Sequence, residues 1–138
     1  MILYLDSSHI VKLCVEETGS ADVEALVASA DDTATSRIAY AEVRSALARK
    51  RREGGISDEE YAHTVAAFRS EWPHLLIKEV TQQVVELAGE LCETHKLRGM
   101  DAIHLASAKL LAEGAKTPVR ISSSDPRLRE AATAEGMA

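Results

Sequence analysis

Four apolar residues in unbroken series, Ile2-Leu3-Tyr4-Leu5, followed at once by Asp6-Ser7-Ser8, place the strongest constraint on how this chain folds. Side chains on a strand alternate between two faces, so an unbroken apolar run implies that both faces are covered. The oxygens that follow are those preferred at helix starts. A strand covered on both sides that passes directly into a helix is the opening unit of a parallel sheet between helical layers.

The remaining segments repeat that alternation. Ile10, Val11 and Leu13 continue a first helix to about Glu16, and Gly19-Ser20 precede a second helix with Val23, Leu26, Val27 and Ala30 at helical spacing. Asp31-Asp32 end it ahead of a strand around Thr33 to Ser36, and a third helix spans about Ala39 to Arg52. Gly54-Gly55 break that helix, and Ser57-Asp58-Glu59-Glu60 start another that reaches Trp72 before Pro73. Leu75 to Val80 is the next expected strand, Thr81 caps a helix through Leu91, and Arg98-Gly99 separate it from a helix carrying Asp101. Val119 to Ser122 form the last strand, and Asp125-Pro126 open a helix over Arg127 to Glu135, with no strong strand after it.

With 138 residues and no Pro/Gly/Ser-rich linker, the chain is expected to form a single domain over 1–138. Its formal net charge of -6 argues against coating by nucleic acid but leaves a local basic cleft open. Cys14 and Cys92 lack zinc-type spacing and need no disulfide, which fits a reduced compartment. The N-terminal apolar run is too short for a signal-peptide core, and no segment approaches the ~18 apolar residues of a membrane span. A cytoplasmic protein without membrane contact is the expectation.

Four acids stand in settings that ordinarily disfavour them. Asp6 and Asp125 each follow a strand, so a parallel sheet puts both at its carboxyl edge, where ligands of such sheets bind. Each is also a good helix cap, and capping is compatible with metal binding. Asp101 lies in Gly99-Met100-Asp101-Ala102-Ile103-His104-Leu105-Ala106, a helix apolar nearly all round; the dull reading is stabilisation by the helix dipole. Glu42 flanks the stripe Val43, Ala46 and Leu47, where Arg44 or Arg49 offers simple neutralisation. A set of carboxylates without cysteine or paired histidines suits Mg2+ or Mn2+ over zinc.

These contexts, Tyr4-Leu5-Asp6-Ser7-Ser8, Tyr40-Ala41-Glu42-Val43, Met100-Asp101-Ala102-Ile103-His104-Leu105-Ala106 and Ser122-Ser123-Ser124-Asp125-Pro126-Arg127-Leu128, resemble the PIN domains, in particular the VapC-type toxins of bacterial and archaeal toxin–antitoxin systems. The resemblance implies a three-layer α/β/α sandwich with a short-stranded, mainly parallel central sheet. It implies an endoribonuclease dependent on Mg2+, or Mn2+ in its place, with Asp6, Glu42, Asp101 and Asp125 as metal-holding catalytic acids. It further implies an RNA substrate, a cognate antitoxin protein and a homodimer. By the same match Ser8 and Ser123 stand where small hydroxyl residues support the acids. Members of the family often add a strand after the last helix, whereas this chain ends at Gly136-Met137-Ala138, and the Ser-Ser-Ser run leaves the supporting serine before Asp125 ambiguous.

Arg37, Arg44, Arg49 and Arg98 lie near the acid-bearing segments and are the candidate RNA contacts; the run Arg49 to Arg52 also reads as a solvated helix end. His104 reads as a hydrogen-bonded packing histidine, and Phe68 with Trp72 first as core and second as a dimer or antitoxin contact. With one Trp, one Phe and three Tyr, the chain lacks the aromatic interleaving of a base-stacking module. An aspartyl-phosphate phosphatase wants a second acid two residues after the nucleophile, where Ser8 stands, and a receiver module wants paired acids after the first strand. The remaining alternative is a catalytically inactive PIN-like domain that binds RNA or protein.

Overall fold

The computed structural model describes residues 1–138. Its elements are β1 (Ile2–Leu5), α1 (Ser7–Cys14), α2 (Ser20–Ser29), β2 (Asp32–Ser36), α3 (Ala39–Arg52), α4 (Asp58–Glu71), a 3-10 turn (Trp72–His74), β3 (Leu76–Lys78), α5 (Gln82–Thr94), α6 (Gly99–Gly114), β4 (Val119–Ser122) and α7 (Pro126–Ala134). The sheet order is β3-β2-β1-β4, and every pairing is parallel.

β1 shows why its sequence is apolar throughout. Ile2 and Tyr4 face one layer, where they join Val84, Ala88 and Leu91 of α5, Leu105 of α6 and Leu128 of α7. Leu3 and Leu5 face the other, with Ile10, Val23, Val43, Leu47, Phe68 and Trp72 from the α1–α4 side. Two cores on the two faces of one central strand make a three-layer α/β/α sandwich.

Capping chemistry sets several helix starts. Asp6 accepts from His9 N, Thr81 from Val84 N and Asp125 from Arg127 N, while Ser57 and Glu60 form a reciprocal capping box. α6 is buried at Ala102, His104, Leu105, Ala106, Ser107 and Ala108, as its apolar circumference requires.

Three expected boundaries move. α1 stops at Cys14 rather than near Glu16, because Val15 is already extended. β2 begins one residue early, since Asp32 pairs with Ile2. β3 covers only Leu76–Lys78 of the expected Leu75 to Val80: its sole neighbour, β2, ends at Ser36 opposite Lys78, and Val80 packs against the α5–α6 core instead. No strand follows α7, yet the tail returns to the sheet. Met137 is buried, and its carbonyl accepts from Ile121 N of β4 at 2.8 Å. No helix is long and apolar enough to cross a membrane.

Candidate functional site

β1 is central, its chain continues through α1 and α2 to β2 on one side, and β4 pairs on its other side. The loops leaving β1 and β4 therefore part at a topological switch point, the crevice where sheets of this kind take ligands. Asp6 and Asp125 occupy those two loops.

Asp6 is buried and fixed on both oxygens. Ser8 Oγ donates to Oδ1 at 2.6 Å, His9 N to the same atom at 3.1 Å, and Ser123 Oγ to Oδ2 at 2.5 Å. Ser123 Oγ also accepts from Asp125 N at 3.0 Å, and Ser8 Oγ accepts from Ser124 N at 3.1 Å, so the two hydroxyls stitch the loops together. Of the three consecutive serines, Ser123 supports Asp6, while Ser122 Oγ meets His9 Nδ1 at 2.5 Å. Burial holds the His9 imidazole below the usual histidine range, against the opposing pull of Asp6.

Glu42, in the first turn of α3, is not neutralised by an arginine. Arg44 turns to the Tyr40 hydroxyl at 3.0 Å, and Glu42 Oε1 meets His104 Nε2 at 2.6 Å. His104 is 1% exposed, and its Nδ1 meets the Tyr4 hydroxyl at 2.8 Å. The packing histidine expected from sequence is thus a bridge from β1 through α6 to one of the four acids.

Asp101 carries the evidence of convergence. Its carboxyl sits above the ordinary aspartate range, chiefly because of burial and then because of the negative charge of Asp125, with Asp6 and Glu42 adding to it; His104 pulls the other way. Four acids drawn from β1, α3, α6 and the β4–α7 loop share one field. Asp125 accepts from Arg127 N at 2.8 Å as the α7 cap, whereas no hydrogen bond contributes to the Asp101 shift.

The donor set fits a hard divalent ion in its chemistry: four carboxylates, one fixed by three donors and one left unpaired and unfavourably charged. As they stand, no three of these side chains lie at ligating distance. Asp6 and Glu42 are held by partners, so Asp101, and Asp125 through its second oxygen, are the acids with freedom to adjust.

Two grooves meet at Glu42. One, of about 510 Å³, runs between α1 and α3 past Ser7, Ser8, Glu42, Ser45 and Arg49. Another, of about 660 Å³, lies against α5 and α6 with Glu42, Arg98, Met100 and Asp101 on its wall. A separate apolar cavity of about 340 Å³ among Leu5, Ile10, Phe68 and Trp72 contains none of the acids. Of the four arginines singled out from sequence, Arg49 and Arg98 line the grooves. Arg37 is exposed and paired with Glu79, and Arg44 lies 5.8 Å over the Tyr40 ring.

Sequence reasoning missed Arg129, whose Nη1 donates to the carbonyls of Ser123 and Ser124 and braces the loop before Asp125. Its position one turn after Asp125 at the start of α7 was the available signal.

Together, the fold and these residues define an α/β protein with acids at the switch point of a parallel sheet. Residues 3–134 match the PIN domain family. Ribonuclease VapC46 of Mycobacterium tuberculosis is 38% identical over 136 residues, covering 99% of this chain and 94% of that protein. Ribonuclease VapC49 of the same organism is 41% identical over 107 residues, 78% of this chain and 74% of that protein. Among solved structures, Mycobacterium tuberculosis VapC20, described as a sarcin-ricin loop cleaving toxin, has a TM-score of 0.68 at 20% identity over 99% of this chain and 96% of that one. A toxin–antitoxin complex from Klebsiella pneumoniae has a TM-score of 0.65 at 20% identity, covering 89% of this chain and 86% of that one. These two likenesses concern the fold. The chain belongs to the PIN-domain family, in its VapC group.

Proposed function

We propose that the protein is an endoribonuclease that hydrolyses RNA phosphodiester bonds with the help of Mg2+, or Mn2+ in its place, and that it is the toxin of a toxin–antitoxin pair. The observation that supports this reading is geometric: Ser123 joins the Asp6 and Asp125 loops, and His104, three residues after Asp101 on α6, meets Glu42; the raised Asp101 carboxyl agrees with repulsion among the four acids. The relatives named Ribonuclease VapC support the choice of RNA. Asp6, Glu42, Asp101 and Asp125 are the residues that would hold the ion. When bound, it supplies Lewis-acid polarisation of the phosphodiester and eases deprotonation of water.

The chain's own groups do the placing. Ser8 and Ser123 hold Asp6 rigid, and Arg49 and Arg98 stand on either side of Glu42, one in each groove, where RNA phosphates would be met. Arg37, paired with Glu79, contributes least. A cognate antitoxin would offer a lysine or arginine to the same acids, since a guanidinium answers the same excess of negative charge; the toxin–antitoxin neighbours support such a partner. A homodimer in the cytoplasm completes the reading.

Incubation of the purified protein with RNA in Mg2+, in Mn2+ and in chelator tests it. Cleavage is expected with either ion and none in chelator; cleavage that persists through exhaustive chelation would refute the metal role.

A further inference from the structure

The contact between His104 of α6 and Glu42 of α3 ties the two helical layers at one of the proposed metal ligands, and its histidine side is fully buried. An ionised Glu42 can only accept, so at 2.6 Å the proton between the pair sits on His104 Nε2. The other side of the ring is decided by Tyr4. The Ser107 and Thr35 side chains also lie near its hydroxyl. Thr35 Oγ1, however, donates to Leu5 O, and Ser107 Oγ makes no hydrogen bond, so only His104 Nδ1 meets the tyrosine at bonding geometry. A buried hydroxyl donates where an acceptor exists, so Tyr4 gives its proton to Nδ1 and leaves Nε2 as the protonated nitrogen.

We propose that His104 is a positioning residue for Glu42: with Tyr4 fixing the Nε2–H tautomer, its ring holds Oε1 and turns the other carboxylate oxygen, Oε2, toward the acids of the site. The inference rests on the proposed metal role of Glu42. Outer partners that orient a ligating carboxylate in this way are worth about 10- to 100-fold in metal affinity. The Tyr4 and His104 rings also meet edge-on at 5.8 Å, so packing and the hydrogen bond fix the same orientation.

Two measurements on the full chain test this. Long-range proton–nitrogen spectra of the 15N-labelled, metal-free protein are expected to show His104 protonated at Nε2 and unprotonated at Nδ1, with the Nε2 resonance moving in Glu42→Gln. A ring protonated at Nδ1, or one indifferent to Glu42→Gln, overturns the proposal. Titration with Mn2+, followed by the spin resonance of the free ion, compares wild type with His104→Gln, whose amide nitrogen replaces Nε2, and His104→Asn, which is too short to reach Glu42. Affinity is expected within about 3-fold of wild type for Gln and weakened about 10- to 100-fold for Asn. Equal affinities for the two variants overturn the positioning role. Should either variant fail to fold, Tyr4→Phe, which keeps the packing, replaces it: Glu42 keeps the proton on Nε2 there, the Nδ1 resonance is expected to move as its hydrogen bond is lost, and an unchanged Nδ1 resonance overturns the role of Tyr4. Wild-type protein that takes up no Mn2+ refutes the metal reading itself, while the metal-free spectrum still decides the tautomer.

Discussion

Asp101 combines an apolar setting with three like charges, and the sign of its effect on stability follows. Its folded pKa lies above its unfolded value, so the cost is absent below the unfolded value, near 3.8, grows as pH rises toward the folded value, and persists in full above it. Asp101→Asn is therefore expected to melt at or above the wild-type temperature in chelator at neutral pH, with the difference closing below about pH 4. The same variant should lose RNA cleavage by more than the ~10- to 100-fold typical of outer partners, with a smaller change in RNA affinity. A metal-free variant markedly less stable than wild type, with an undiminished thermal shift on adding Mg2+, would make Asp101 a structural residue. The sequence made the four acids visible, because carboxylates in apolar or strand-end settings are conspicuous. It did not disclose that Glu42 turns to His104 and Arg44 to Tyr40, since those pairings depend on which helix faces which across 62 residues in one case and on a local rotamer in the other.

At the scale of elements, helix starts were legible and strand ends were not. Caps such as Asp6, Ser57, Thr81 and Asp125 act within three residues and leave a local signature, whereas β3 ends where its only neighbour ends. One inter-element tie had no local signature at all. Glu135, just past α7, meets His95 at the end of α5 at 2.9 Å and Lys109 of α6 at 2.5 Å, and these partners hold its carboxyl below the ordinary glutamate range, His95 most of all. An acid depressed in this way stabilises the fold above its unfolded pKa and loses that contribution as pH falls toward its folded pKa. Glu135→Gln should lower stability by about 1 kcal/mol at pH 7, or roughly 3 °C in melting temperature, with the difference narrowing as pH falls below 4.5. Thermal melts across pH 3–7 measure it. Ser57→Ala, which removes one arm of the α4 capping box, should cost about 1 kcal/mol at pH 7, read by denaturant titration.

For the molecule as a whole, a net charge of -6 makes RNA binding depend on where a few cations stand. Arg49→Ala and Arg98→Ala should each weaken RNA binding and reduce the slope of log affinity against log salt by up to about 1, whereas Arg37→Ala should leave the slope unchanged because its charge is already answered by Glu79. Filter binding across a salt series distinguishes them.

The return of Met137 to β4 has a consequence for how this protein meets others. Ile121 N, which would face outward from the sheet, is occupied by the Met137 carbonyl, and at the opposite margin β3 contributes only three residues. Neither margin offers a long free ladder for an incoming strand. Association by strand addition has only a short, interrupted ladder to extend at either margin.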